Sequence, residues 1–228
     1  MDRLVGIVWG EMVLIPLLAL VGIYLTVGLR AMPWRYLGYA VAMLWRREPG
    51  ETQGEISPFQ ALMTALSATI GTGNIAGVAT AIYFGGPGAV FWMWVIALFG
   101  MATKYAEALL AVKFREVDAN GQYVGGPMYY IQNGLGPGWK WLAGAFSAFG
   151  MAAAFGIGNM VQSNSVAEVL ASQYAIPTVA TGAALALIAG LVIIGGVRRI
   201  AEVAARLVPL MASGYLIAAV VILGLNAR

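Results

Sequence analysis

The sequence predicts an all-α polytopic membrane protein with six transmembrane helices. Hydrophobic residues make up 61% of the 228 residues and charged residues only 10%, which is far from the composition of a soluble domain. Several apolar runs are long enough to span a bilayer. Most of the basic residues lie between these runs, as the positive-inside rule describes for cytoplasmic loops.

The composition also excludes several classes of function. Histidine and cysteine are both absent, which removes thiol nucleophiles, imidazole bases and the usual zinc ligands. Lys104 and Glu107 then remain as candidates beside serine and threonine, and no nucleophile–base pair is recognisable. We therefore predict that the protein is not an enzyme. Topology explains the net charge of +3, so we expect no nucleic-acid partner.

The first apolar run predicts a transmembrane helix over residues 4–29, within a segment 1–30. A signal peptide is the alternative, but Glu11 and Pro16 interrupt the run, which is longer than the apolar region of such peptides. Residues 31–58 are predicted to form a cytoplasmic linker, because four cations, Arg30, Arg35, Arg46 and Arg47, lie in or beside this one short connection. The N-terminus then lies outside.

The second span, residues 59–84, contains a polar, glycine-rich stretch at bilayer depth, Gly71-Thr72-Gly73-Asn74. Glycine is the weakest ordinary helix former, so the pattern predicts a helix that opens near Gly71-Thr72-Gly73. Freed carbonyls can bind a small cation, and freed amides at a helix N-terminus favour a carboxylate. Broken helices of this kind mark the substrate sites of secondary transporters. Close packing of helices through Gly73 and Gly77 is an alternative use of the same glycines.

The third span, residues 89–112, carries Lys104 and Glu107 on one face, and this spacing indicates an ion pair. Pro127 is expected to start a short interfacial helix in the loop 113–140. The remaining spans are predicted at 141–170, 177–197 and 207–225. Asn159 and Gln162 share a face of the fourth span, either as contacts between helices or as part of a polar cavity.

Four motifs make the sequence similar to a known family of transporters. They are Gly71–Ile82, Gly85–Trp94, Gly125–Tyr130 and Gly158–Ser165. In these motifs the chain resembles the alanine or glycine:cation symporter family, and the resemblance covers essentially the whole length. It implies sodium-coupled symport of small neutral amino acids, alanine or glycine, across a prokaryotic inner membrane. It also implies the inverted-repeat fold of the neurotransmitter-sodium symporters.

The resemblance implies specific ligands for sodium in the broken helix. The carbonyl of Thr69 and the side chain of Asn74 resemble one sodium site, which also uses the substrate carboxylate. The carbonyls of Ser67 and Ile70 resemble half of a second sodium site.

The resemblance implies substrate contacts as well. Thr72 and Gly73 would present backbone amides to the carboxylate of the amino acid. Asn159 and Gln162 would add polar contacts from the facing helix.

One departure from the family concerns length. Members have about eleven spans, and six are predicted here. The chain therefore resembles an extra N-terminal helix, 1–30, followed by the first five-helix repeat, 59–228. The second repeat is expected to be absent, and with it the rest of both sodium sites.

Three alternatives to a symporter are a dinucleotide-binding protein, an intramembrane enzyme and a channel-like or structural membrane subunit. The spacing Gly71-x-Gly73-x-x-Ala76 is like that of a dinucleotide fingerprint, but that motif needs a preceding strand and an acidic residue about twenty positions later. An intramembrane enzyme would need a nucleophile paired with a base, and no such pair is recognisable. A channel-like or structural membrane subunit stays open as the alternative function. The sequence does not decide whether the substrate is alanine or glycine, which enantiomer is carried, or whether the coupling ion is sodium or a proton. The oligomeric state is also open.

Overall fold

The computed structural model describes residues 13–45, 56–156 and 158–226. Helices dominate these segments, which confirms the all-α prediction apart from one small two-stranded ribbon. Part of the first predicted span, with Glu11, lies outside the described residues. The same holds for Arg46 and Arg47, on which the cytoplasmic placement of the linker partly depends.

The first half of the chain forms the following elements: α1 Leu14–Gly28, α2 Met32–Arg35, α3 Leu37–Trp45, α4 Pro58–Thr69, a π-helix Gly73–Gly77, α5 Val78–Gly85 and α6 Pro87–Lys113. The second half continues with β1 Glu116–Val117, β2 Tyr123–Val124, α7 Pro127–Leu135, a 3₁₀ turn Pro137–Trp139, α8 Lys140–Ala154, α9 Asn159–Tyr174, α10 Thr178–Ile193 and α11 Gly196–Leu225.

The structure supports a multi-pass membrane protein. Three helical stretches of the described chain, Pro87–Lys113, Pro137–Tyr174 and Gly196–Leu225, are long and apolar enough to cross a bilayer, and the bent pair Pro58–Thr69 with Gly73–Gly85 is a fourth candidate. The shorter apolar helices α1 and α10 occupy the positions of the first and fifth predicted spans. The number of six crossings stays a prediction.

Two predicted boundaries differ from the observed ones. The last helix was expected from residue 207 after a basic loop, but α11 already begins at Gly196 and includes Arg198, Arg199 and Arg206. Arginine and alanine are good helix formers, so a basic stretch of this kind can extend the helix. The fourth predicted span is divided into α8 and α9, and Gly158 between them has a φ of 89°.

The described chain divides into two compact units. One contains the chain up to Ala42 together with Val78–Ala152. In this unit α1 packs against α6. Gly22 of α1 is buried, and a Cβ there would lie 2.9 Å from the Cβ of Phe99. A small residue therefore allows the two backbones to approach closely, as in many membrane helix pairs.

The other unit contains Met43–Gly77 and the chain from Ala153 onward. Its core forms where α4 packs on α11, with Met63, Ala204 and Val208 buried together. Helix α10 contacts both α9 and α11. Every residue of the candidate site described below belongs to this unit.

Candidate functional site

The broken helix is the first component of the site. Helix α4 begins with a capping box, in which Ser57 accepts a hydrogen bond from the backbone of Gln60 and the Gln60 side chain accepts one from the backbone of Ser57. The helix ends at Thr69, and Ile70 is extended, with φ −84° and ψ 114°. The helical axis bends by 59° between Pro58–Thr69 and Gly73–Gly85. The predicted break at Gly71-Thr72-Gly73 is confirmed.

Hydrogen bonding in the break no longer follows the helical pattern. The N–H of Gly71 donates to Oδ1 of Asn74 at 3.1 Å, and the N–H of Asn74 donates to the carbonyl of Gly71 at 3.0 Å. The N–H of Thr72 donates to Oε1 of Gln162, also at 3.1 Å. In a continuous helix these three amides would instead bond the carbonyls four residues earlier.

Three carbonyls therefore lose the partners that a continuous helix would supply. They belong to Ser67, Ala68 and Ile70, which precede Gly71, Thr72 and Asn74 by four positions. Two of them, Ser67 and Ile70, are the carbonyls that the family resemblance implies for the second sodium site. A freed carbonyl at membrane depth requires another partner, and a cation is one such partner.

The hydroxyl groups of this segment bond within their own helix. Oγ1 of Thr69 donates to the carbonyl of Ala65 at 2.8 Å, and Oγ of Ser67 donates to the carbonyl of Thr64 at 2.7 Å. A hydroxyl that donates keeps its lone pairs, so these bonds orient the two side chains. The backbone carbonyls of Ser67 and Thr69 are the oxygens that the family resemblance assigns to sodium.

Gln162 of α9 is the residue that the structure brings to the break. Besides its contact with Thr72, its amide group lies directly over Gly71. A Cβ at position 71 would overlap Nε2 of Gln162 and lie 3.1 Å from its Cδ. The glycine at this position thus leaves the room that the Gln162 side chain needs.

Asn159, the other candidate on α9, bonds locally instead. Its Nδ2 donates to the carbonyl of Ala154 at 3.2 Å, and its Oδ1 accepts from the N–H of Met160 at 2.7 Å. These contacts lie at the start of α9, just after the interruption that follows α8. The structure therefore brings together Thr72 and Gln162. Asn159 instead lies at the N-terminus of α9 and bonds to residues near it in the chain.

A cavity of about 290 Å³ lies between α9 and α10, beside the Gln162 side chain that contacts Thr72. It is lined by Gln162, Ser163, Val166, Gly182, Leu185, Ala186 and Ala189. Its α10 side consists largely of small residues, which leave space beside the Gln162 side chain. This part of α10 was not predicted as part of the site, although the small residues at positions 182, 186 and 189 are visible in the sequence.

The electrostatics of the site come from peptide groups, hydroxyls and side-chain amides. The residues named at the break and in the cavity carry no formal charge, and Gly73 exposes a backbone where a Cβ would meet nothing within 4 Å. Such a site can hold a zwitterion and a small cation together, because carbonyl oxygens favour the cation and N–H groups favour the carboxylate.

Comparison with known proteins identifies transporters of similar sequence. The sodium/alanine symporter AgcS of Methanococcus maripaludis is 54% identical over 223 residues, which cover 96% of this chain and 49% of that protein. A putative sodium/proton-dependent alanine carrier protein, YrbD of Bacillus subtilis, is 43% identical, with 97% of this chain and 44% of that protein covered. A probable sodium/glutamine symporter, GlnT of Bacillus subtilis, is 38% identical, with 95% and 45% covered.

The chain thus spans about half the length of the curated relatives it matches. The sequence profile described as "Sodium:alanine symporter family" matches residues 1–228. With that match over its full length and a relative at 54% identity, the chain belongs to the sodium:alanine symporter family.

Proposed function

We propose that the whole protein is a sodium-coupled symporter of small neutral amino acids, alanine or glycine, in a prokaryotic inner membrane. The observation that carries the proposal is the break in the second predicted span. There the amides of Gly71, Thr72 and Asn74 leave the helical pattern, so the carbonyls of Ser67, Ala68 and Ile70 lose these three helical donors. Amide donors and carbonyl acceptors then lie within a few residues of one another.

Sodium is held in this proposal by oxygens of the broken helix. The carbonyl of Thr69 and the side chain of Asn74 contribute to one site, and the carbonyls of Ser67 and Ile70 contribute to another. Burying a bare cation in apolar surroundings costs tens of kcal/mol in idealised terms, so each ion needs a complete set of oxygens. The remaining oxygens are proposed to come from the substrate and from a second repeat.

The amino acid is held at the start of the next helical segment. The amides of Thr72 and Gly73 bind its carboxylate, helped by the positive end of the helix dipole. Gln162 and Asn159 are the proposed polar contacts from α9. We propose that the substrate pocket at the break is small enough to favour alanine or glycine over larger amino acids.

Coupling follows if the substrate carboxylate completes the first sodium site. Neither ligand then binds well alone, and each raises the affinity of the other by the same factor. Every sodium ion that moves inward gains about 2.3 kcal/mol per 100 mV of membrane potential. That gradient drives the amino acid uphill.

Orientation completes the proposal. The N-terminus lies outside, and the basic connections, including 31–58 and 113–140, lie in the cytoplasm. Membrane lipid surrounds the apolar helix faces.

The decisive experiment is uptake by proteoliposomes that contain the full-length gene product. We expect inward-directed sodium to drive accumulation of labelled alanine or glycine, and an inside-negative potential to increase it. Ion flux that alanine neither saturates nor requires would instead point to a channel. The 228 residues alone are expected to give no uptake, because the proposed oxygen sets are incomplete without the second repeat.

A further inference from the structure

We propose that a cavity between α7 and α8 binds the phosphate group of an anionic membrane phospholipid, with Lys140 as the counter-ion. The residues of this site all belong to the unit that contains Val78–Ala152. The inference is therefore independent of the substrate site proposed above, and it needs only a membrane crossing that begins with α8.

The cavity has a polar lining. Its volume is about 310 Å³, at the lower end of the range for small-molecule sites. The lining includes side chains of α7 and one face of α8: Tyr129, Gln132, Lys140, Ala143, Gly144 and Ser147. The four α8 positions are three or four residues apart, so they share a helix face. Ala143 and Gly144 are small, which leaves space between the polar groups.

Lys140 supplies the charge of the site. Its ammonium group has three donors and no acceptor, and it forms no ion pair among the described residues. None of the described residues that line the cavity is acidic. The amide of Gln132 can add N–H donors. Phosphate oxygens accept strongly from such donors, so an anion with several oxygens is the ligand that fits this lining.

The place of the cavity along the chain favours a lipid as the source of that anion. Lys140 begins α8, within the 38-residue stretch Pro137–Tyr174 that is long and apolar enough to cross a bilayer. Trp139 and Trp141 flank Lys140, and their stacked rings have centroids 6.4 Å apart. Both tryptophans are exposed. Tryptophan is enriched where a span meets the headgroups, so the cavity lies at the depth of the phospholipid phosphates.

The charge of Lys140 favours an anionic lipid over a zwitterionic one. In the proposed orientation the loop 113–140 is cytoplasmic, and the cytoplasmic leaflet carries anionic lipids. Basic pockets beside transmembrane helices on that side of a membrane bind anionic headgroups. The lining of this cavity provides the same combination of one cation and several neutral hydrogen-bonding groups.

The test is binding of phosphatidylglycerol to the full-length protein, measured by native mass spectrometry in detergent micelles. Phosphatidylcholine with the same acyl chains is the zwitterionic reference. Lys140→Met removes the charge from the cavity. Lys113→Met is the matched control, because Lys113 lies at the other end of the same loop, over the ring of Phe114, and is not a lining residue.

A second pair of variants tests the cavity itself. Gly144→Leu fills the cavity and keeps Lys140. Gly150→Leu makes the same change in the same helix outside the lining. A Cβ at either glycine meets nothing within 4 Å, and leucine is a better helix former than glycine, so both variants are expected to fold.

We expect the wild type to bind phosphatidylglycerol about fivefold more tightly than phosphatidylcholine, the contribution of one lysine at an anionic surface. K140M should lose this preference, and G144L should weaken phosphatidylglycerol binding by a similar factor. K113M and G150L should behave as the wild type does. Glycerol 3-phosphate, equimolar with the lipid, should not displace it, because it lacks the acyl chains that hold a lipid at this depth.

Four outcomes would overturn the proposal. Equal binding of both lipids by the wild type would show that charge is not recognised. An equal effect of K140M and K113M would mean that the basic loop attracts lipid without the cavity, and unchanged binding in G144L would place the headgroup elsewhere. Displacement by glycerol 3-phosphate would make this a site for a soluble phosphate. These measurements use neither sodium nor alanine, so a failure here is distinct from a failure of the proposed transport.

Discussion

Asn74 and Gly71 close the break in the second predicted span by a reciprocal pair of hydrogen bonds. The side-chain Oδ1 of Asn74 accepts from the N–H of Gly71 at 3.1 Å, and the N–H of Asn74 donates to the carbonyl of Gly71 at 3.0 Å. The pair ends one helical segment and starts the next within four residues. Asn74 is thus a structural cap of the break as well as a proposed sodium ligand.

Substitution tests whether uptake needs the side-chain oxygen of Asn74. Asn74→Ala removes both the cap and the ligand, and we expect it to abolish sodium-dependent alanine uptake. Asn74→Asp keeps an oxygen for Gly71 and for sodium, so measurable sodium-dependent uptake should remain. Uptake is measured in proteoliposomes at several sodium concentrations. Thr64→Ala is the control, because the Thr64 hydroxyl donates to the carbonyl of Gln60 in its own helix, before the break.

Uptake by N74A with unchanged sodium dependence would remove Asn74 from the site.

Substitution at Gly71 should disturb the contact between Gln162 and Thr72. In Gly71→Ala the added methyl group collides with the end of the flexible Gln162 side chain, which then leaves the Thr72 amide. Loss of one neutral hydrogen bond, worth about 1 kcal/mol, predicts roughly fivefold faster deuterium exchange at Thr72. Exchange is followed by mass spectrometry on peptides that include residues 70–77.

Gly77→Ala is the matched control for this exchange experiment, since a Cβ at Gly77 meets nothing within 4 Å. Equal exchange in G71A and G77A would contradict the proposed steric conflict.

The ion pair on α6 predicts a non-additive effect on stability. Nζ of Lys104 lies 2.9 Å from Oε2 of Glu107, as expected from their spacing of three residues. A lone charge within a spanning helix costs up to about 3 kcal/mol. Lys104→Met or Glu107→Gln alone should therefore destabilise the protein more than both changes together. Thermal unfolding in nanodiscs measures the coupling, and simple additivity of the two single changes would argue against the pair.

A pH dependence is expected in the loop between α6 and α7. The backbone N–H of Gln122 donates to Oδ1 of Asp118 at 2.8 Å, as does that of Asn120. These bonds hold the pKa of Asp118 below its usual value, and the bond from Gln122 has the larger effect of the two. A lowered pKa means that the charged form stabilises the loop above about pH 4 and that this contribution is lost as the pH falls through the lowered pKa.

The measurement is amide protection of Gln122 between pH 2 and 7 in wild type and in Asp118→Asn. We expect the wild type to be better protected at pH 7, because a carboxylate accepts more strongly than an amide does. The two proteins should converge at the acidic end. A difference that is independent of pH would show that charge plays no part.

The proposed orientation predicts the side from which introduced thiols react. Ala119→Cys lies in the loop between the β strands, on the proposed cytoplasmic side, and Gln173→Cys lies near the end of α9, on the proposed outer side. A membrane-impermeant maleimide added to intact cells should label Q173C and leave A119C unlabelled until the cells are opened. The chain contains no cysteine of its own, so the wild type supplies the background. The reverse labelling pattern would invert the topology.

The sequence by itself determined the features that depend on neighbouring residues. Glycines in an apolar run weaken a helix wherever they occur, so the break at Gly71-Thr72-Gly73 could be predicted without coordinates. The same holds for the short helix that starts at Pro127 and for the Lys104–Glu107 pair, since both follow from local backbone geometry. The family resemblance rests on equally local motifs.

Only the tertiary structure decided which distant groups meet. Thr72 and Gln162 are 90 residues apart, and their contact depends on how the elements of one unit pack against one another. Asn159 shares a helix face with Gln162, yet it bonds to Ala154, because α8 ends at Ala154 and α9 begins only at Asn159. Local pattern specifies which backbone groups are freed from the helix, whereas packing selects the side chain that satisfies them, and that selection requires the positions of all the helices at once.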